Sequence, residues 1–529
     1  MFEEDGGEPG AFAGHAREGH RLPPYLQADP LPKSAEFGKD KFARLATHKL
    51  RAKINARVQK LTIIDRKCTR TRTYRALSSL IGGPPGGLAE RWREDWAFGA
   101  ARLQGVNPMQ VARVTTLDDA LFKGVKSALH DAGAADGVPL FACDYSAVMG
   151  EEIQSQIKDG LSLAAPTVVF FVDREQQLRP IAIRLMPAGW KGENRVFTAF
   201  GDPAAWLFAK SHCQAADAHF HEGTWHLGET HLVTETVGIC ATRQMHPDHP
   251  VSQLLQPHFE YNLAIDYTAR HNLMTVGGPI DSVLSSGIGG ALDLARGLYN
   301  NGWDYHARTL QADLAGRGVH DLDTLPVYPY RDDALRLHDA TDRYTRQMLA
   351  LYYPDDATVR GDGELQAWVD EVAIRARVPG FPSQLETFEQ LATVCREVIF
   401  RASVQHAAVN NGQYDTYGWI PFTPGSMTSL RLPEGADERA VLEMMPDLDA
   451  ALAQIGMTWV LSEPTHRSLL GAGDSPAFAE DTNFEANQAV KRYRRELRGI
   501  GLEIVERNRS LRVPYTYLNP HNIARSTGT

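Results

Sequence analysis

Residues 204–245, "AAWLFAKSHCQAADAHFHEGTWHLGETHLVTETVGICATRQM", contain no proline. Proline breaks helices because it lacks a backbone donor and clashes with the preceding turn. Nothing local therefore interrupts a helix here. A run this long exceeds an average helix and predicts one buried central helix. A second long pattern, "FPSQLETFEQLATVCREVIFRASVQHAAVNNGQY", opens with a capping box of Ser383 and Glu386 and ends near Asn410, where Asn-Asn-Gly stops it. "EANQAVKRYRRELRGIGLEIVERNRS" reads as a third, surface-like amphipathic helix. The stretch 166–185, "PTVVFFVDREQQLRPIAIRL", reads as a β-hairpin, two β-branched runs about a polar turn. The expected fold is mostly α, built around two long central helices with a minor β-sheet. Residues 1–35 read as an irregular leader, and length alone suggests roughly three domains.

The 529 residues carry a net charge of -10, and 43% of them are hydrophobic, an ordinary globular composition that gives no reason to expect nucleic acid. One stretch departs from this balance. Lys39 to Arg72 holds twelve Lys and Arg, with Phe42, Leu45, Ile54, Val58 and Leu61 among them at partly helical spacing. It reads first as a solvated helix face and second as a weak attraction to anionic lipid or fatty-acid aggregates. Five scattered cysteines without a CxxC pair support neither a disulfide framework nor a zinc knuckle. With no apolar core run at the N-terminus and no apolar stretch of spanning length, the expected location is the cytoplasm.

Seven of the nineteen histidines fall between residues 219 and 258, and His221, His226 and His231 recur at a spacing of five. Five residues of α-helix rotate by roughly 140°, which would aim two of these imidazoles apart. Either they share no ion, or the helix is irregular. A π-turn uses about 4.4 residues, so five there rotate by roughly 410° and return to nearly one face. A π-type turn between His226 and His231 would let both reach one ion. His406 and Asn410 in the second helix are four apart and share a face without distortion. Three neutral imidazoles and an amide oxygen suit octahedral iron or manganese better than zinc, and they leave the ion's charge for a carboxylate to compensate. "SSGIGGALDLARG" lacks phosphate-loop spacing and reads as a turn, and no G-x-S-x-G supports a hydrolase triad.

The interval pattern His221-x4-His226-x4-His231-x17-His249-x8-His258 resembles the histidine signature of lipoxygenases. "HAAVNNGQY", "FGAARLQGVNPM", "VVFFVDREQQLRPIAIRL", "HPVSQLLQPHF" and "PYTYLNP" resemble further family motifs, over roughly residues 20–529. The resemblance implies a single catalytic domain over residues 36–529, in a short form lacking the N-terminal β-barrel lipid-binding domain. It implies one non-haem iron per chain, held by His226, His231, His406, Asn410 and the terminal carboxylate of Thr529. His221, His249 and His258 would be structural or orient ligands, and Gln413 would couple Asn410 to the substrate pocket. Ala218, Leu273, Ile280, Val283 and Leu284 fall at pocket positions, and Ala269 at the position that directs oxygen.

The activity implied by the resemblance is that of a dioxygenase, which inserts O2 into cis,cis-1,4-pentadiene fatty acids to give mainly S hydroperoxides. Two other readings stand beside it: a hydroperoxide isomerase with the same ligands, and a non-catalytic helical lipid carrier whose histidines are structural.

Overall fold

In the computed structural model, which describes residues 3–4, 26–28, 30–134, 137–186, 195–463 and 467–528, the proline-free run is one unbroken helical rod. Pro203 takes its first turn, where a missing N–H costs nothing, and Asp202 caps it by accepting from the Ala205 backbone N–H at 2.8 Å. The rod is α-helical over Pro203–Phe220, π-helical over His221–Leu232 and α-helical again over Val233–Gln244. Nearly all of its side chains are buried, so it forms the axis of the core.

The second rod crosses it. It is α-helical over Phe388–Phe400, π-helical over Arg401–Gln405 and α-helical over His406–Asn410. Its capping box is Thr387 with Gln390, not Ser383 with Glu386. Gln366 explains the shift: its amide donates to the Leu385 carbonyl and accepts from the Leu385 N–H, both at 2.9 Å, and holds that segment out of the helix. The π-segments of the two rods are clamped together by buried Glu229, which accepts from Arg401 at 3.2 Å, Gln405 at 2.8 Å, Trp303 at 3.1 Å and Arg308 at 3.0 Å.

The glycine-rich stretch expected as a turn instead opens the helix Gly287–Asn300. It packs against the first π-segment at very short range. A Cβ on Gly223 would lie 2.8 Å from both the Ala291 carbonyl oxygen and the Leu294 Cβ, so only glycine fits. The hairpin forms as expected, with Thr167–Val172 antiparallel to Leu178–Arg184. It belongs to an antiparallel sheet of five strands in sequence order, completed by Ala112–Val114, Leu140–Asp144 and Val196–Thr198. The amphipathic helix Phe484–Asn508 lies on Pro329–Leu349, where the Tyr344 and Tyr493 rings stack 4.4 Å apart.

The leader is not wholly irregular. Leu26–Gln27 pairs with Glu3–Glu4, and Lys33–Ala35 forms a 3-10 turn. Ala28 is buried because its N–H donates to Glu235 and its carbonyl accepts from Arg270, two residues that form a buried ion pair. All five cysteines are free and buried.

Candidate metal centre

The π-helical stretch resolves the five-residue spacing. Successive turns return His226 and His231 to one side, and their ring centroids lie 4.9 Å apart. The stretch covers twelve residues rather than a single bulge and includes His221. From the crossing rod, His406 approaches to ring distances of 5.7 Å from His226 and 4.9 Å from His231. One ligand atom of each of these three residues lies within 4.8 Å of the others, the spacing needed to share one ion.

Carboxylates that sequence reasoning missed set the imidazole orientations. Glu222 accepts from His226 Nδ1 at 3.1 Å, and Asp266 from His231 Nδ1 at 2.7 Å. With a proton held on Nδ1, the Nε2 lone pair of each ring is free for a metal. Asn262 donates to the other Asp266 oxygen at 2.9 Å and fixes that carboxylate in turn. His226 Nε2 and both His406 nitrogens are buried without a protein partner. Orphaned buried nitrogens are costly, and an ion between them would satisfy them. Burial pushes His226 down to about 4, against the pull of Glu222, and burial with the nearby His231, His226 and Lys41 holds His406 well below its usual value. Both rings are therefore neutral at neutral pH, the form that binds metal. The donor set fits a hard-to-borderline cation of the iron or manganese type.

The other expected site residues divide. Asn410 lies one turn beyond His406, and Gln413 donates to its side-chain oxygen at 2.9 Å. His221 joins the rods: its Nε2 donates to the Val409 carbonyl at 2.7 Å, and its Nδ1 accepts from the Tyr417 hydroxyl at 2.7 Å. His258 bonds the Arg525 carbonyl at 2.7 Å and so anchors the C-terminal segment. That segment is also held by the Thr527 hydroxyl, 2.6 Å from Asn262. Thr529 lies outside the described residues. His249 does not orient a ligand. It caps the helix Pro250–Leu255 and pairs with Asp362 at 2.9 Å.

A cavity of about 590 Å³ opens beside His226 and His231, within the range of small-ligand sites. Ala269, Leu273 and Ile280 line it with Leu227, Ala291 and Met457. Val283 and Leu284 pack behind that wall rather than facing the cavity. Ala218 is not a pocket residue; its turn of the first rod faces Val106 and Tyr417. The far wall is the helix Lys39–Thr62, which contributes Leu45, Lys49, Ala52, Lys53 and Ala56. Lys41, at the metal end of this wall, is paired with Glu463 at 2.9 Å.

The fold and site thus define a mostly helical protein whose two crossing rods hold a three-histidine centre beneath an apolar cavity. The lipoxygenase family profile matches residues 87–516. The polyunsaturated fatty acid lipoxygenase ALOX12 of Mus musculus is 32% identical over 464 residues, 84% of this chain and 69% of its own length. The hydroperoxide isomerase ALOXE3 of Rattus norvegicus is 32% identical over 454 residues, 83% of this chain and 63% of its own length. A lipoxygenase crystal structure obtained anaerobically in complex with arachidonate superposes with a TM-score of 0.85 at 29% identity, covering 95% of this chain and 77% of that one. The chain belongs to the lipoxygenase family, a family of oxidoreductases that typically binds a non-haem iron.

Proposed function

We propose that this protein inserts O2 into polyunsaturated fatty acids with a cis,cis-1,4-pentadiene, using one iron held by His226, His231 and His406. In this reading Asn410 and the main-chain carboxylate of Thr529 complete the donors. One observation carries the proposal: three imidazoles converge in the core beside an apolar cavity, with His226 Nε2 and both His406 nitrogens buried and without a protein partner. When bound, the iron supplies the one-electron oxidation that removes a hydrogen from the CH2 between the double bonds.

The chain's own groups do the rest. Glu222 and Asp266 keep the imidazole protons on Nδ1. Leu227, Ile280, Ala291 and Met457 exclude water from the diene. Lys49 and Lys53 line the cavity and make no ion pair among the described residues. Helix rise sets them about 12 and 18 Å from Lys41, the reach of the carboxyl half of a long fatty acid. They are the groups proposed to hold its carboxylate. The hydrogen taken from carbon returns to the peroxyl oxygen, so the overall reaction adds one O2 and needs no external reductant.

Ala269 opens a short π-turn, Ala269–Leu273, on the cavity wall. Its methyl group is proposed to block oxygen from one end of the diene, giving mainly S product. Ala269→Gly should then add R hydroperoxide at the opposite end, and chiral chromatography reads this directly. A second reading, hydroperoxide isomerisation, is favoured by the likeness to the rat isomerase. Oxygen uptake and a rise in conjugated-diene absorbance with linoleate support the dioxygenase; consumption of added hydroperoxide without oxygen uptake supports the isomerase. Absence of stoichiometric iron in well-folded protein would support the carrier.

A further inference from the structure

The helix Lys39–Thr62 has two apolar faces. The inner one presents Leu45, Ala52 and Ala56 to the cavity and packs on the helix Leu448–Leu461. The outer one carries Phe42, Leu50, Ile54, Val58 and Leu61, all exposed, and Ile64 follows just beyond the helix end. Leu61 is 82% and Ile64 95% exposed, values that a soluble surface seldom gives to neighbouring large apolar side chains. At about 100° per residue, Leu50, Ile54, Val58 and Leu61 fall in one stripe roughly 80° wide. The two-sided pattern explains why the sequence periodicity looks only partly helical.

The charges of this helix are equally one-sided. It holds eight Lys and Arg against one acid, Asp40, in a chain whose net charge is -10. Lys41 and Arg44 are turned to Glu463, and Lys60 to Asp449. Lys39, Arg51 and Arg57, which flank the apolar stripe, make no ion pair among the described residues. A surface complementary to this face must be both apolar and anionic. A second copy of the chain would set like charges against each other across a two-fold axis. No described helix is long and apolar enough to cross a membrane, so the contact is with a surface.

We propose that the outer face of Lys39–Thr62 docks the protein on an anionic lipid surface. The stripe enters the boundary between headgroups and acyl chains, and Arg51 and Arg57 pair with lipid phosphates. Because the opposite face of the same helix lines the cavity, docking brings the cavity wall against the phase in which fatty acids dissolve. That last step rests on the fatty-acid reading of the cavity; the docking itself does not.

The test is flotation of the full-length protein with vesicles of phosphatidylcholine alone or mixed with phosphatidylglycerol, at low and high salt, with no substrate present. Binding to the mixed vesicles is expected at low salt, with loss at high salt and little binding to phosphatidylcholine alone. Arg51→Glu with Arg57→Glu, and separately Ile54→Ser with Leu61→Ser, should each lower the bound fraction by about tenfold, with unchanged helicity by circular dichroism. Both variants should oxidise detergent-dispersed linoleate as the parent does and vesicle-borne linoleate more slowly. No binding to the mixed vesicles, equal binding to both compositions, or unaltered binding by both variants would overturn the proposal. So would a dimer that dissolves with Ile54→Ser and Leu61→Ser while vesicles stay unbound. Failure of both oxidation assays in the parent, with docking intact, would sink the fatty-acid reading and leave docking standing.

Discussion

The two walls of the cavity are built on opposite plans. On the histidine side the carboxylates are buried and hydrogen-bonded: Glu229 has four partners, Asp266 has two, and Glu222 accepts from His226. On the far side, Lys39–Thr62 buries one edge, with Lys41 and Leu45, and leaves Lys39, Arg51, Arg57 and the large apolar groups of its outer face to solvent. One wall fixes its groups through a dense polar network; the other is held by apolar packing on Leu448–Leu461 and by the Lys41–Glu463 pair. The polar network thus lies at the histidine donors, and the exposed apolar stripe lies on the opposite face of the far wall.

The comparison breaks most completely at the ion. His226→Ala, His231→Ala or His406→Ala should each abolish bound iron and activity, read by metal analysis and oxygen uptake; a fully active, iron-loaded variant would strike that residue from the donor set. Glu229→Ala comes next. Removing one member of a buried charged cluster costs about 3–5 kcal/mol, so denaturant unfolding should show a loss of that size. A change near zero would mean that the rods are not clamped there. Asp266→Ala leaves the three donors in place but frees the His231 ring, and a loss of metal affinity of about 10–100-fold is expected, measured by competition with a chelator. Leu45→Ala, on the buried edge of the far wall, should cost about 2–3 kcal/mol. The smallest effect sharpens the contrast within one helix: Leu61→Ala, on the outer face, should stay within about 0.5 kcal/mol of the parent. Equal losses at Leu45 and Leu61 would mean that the helix does not have two distinct faces.

Much of this was legible in the residues. The spacing of five between His226 and His231 left two possibilities, no shared ion or an irregular helix, because a regular one would aim the rings apart, and the π-turn is there. The two rods and the hairpin followed from proline placement and β-branched runs. What escaped depends on contacts between distant segments. Ser383-x-x-Glu386 and Thr387-x-x-Gln390 are equally good cap patterns, and only the grip of Gln366 on Leu385 chooses between them. The second π-segment, Arg401–Gln405, contains no repeated residue type to mark it. Glu222 and Asp266 are two of 65 acids, and their roles exist only once their partners arrive. Ala218 lies three residues before His221, yet the rod turns it toward Tyr417 and away from the cavity.

The five buried cysteines bear on durability. Burial, helped by Asp65 and Asp447, pushes the Cys68 thiol up to about 12, and burial pushes Cys143 to about 12 as well. Cys213, Cys240 and Cys395 are raised too, burial being the first cause in each. Peroxides attack sulfur through the thiolate, and attack requires access. The proposed product is itself a peroxide, released beside the fold that made it. A chain that keeps all its thiols protonated and out of reach is protected from cysteine oxidation by its own product, and should need no thiol reductant to keep working.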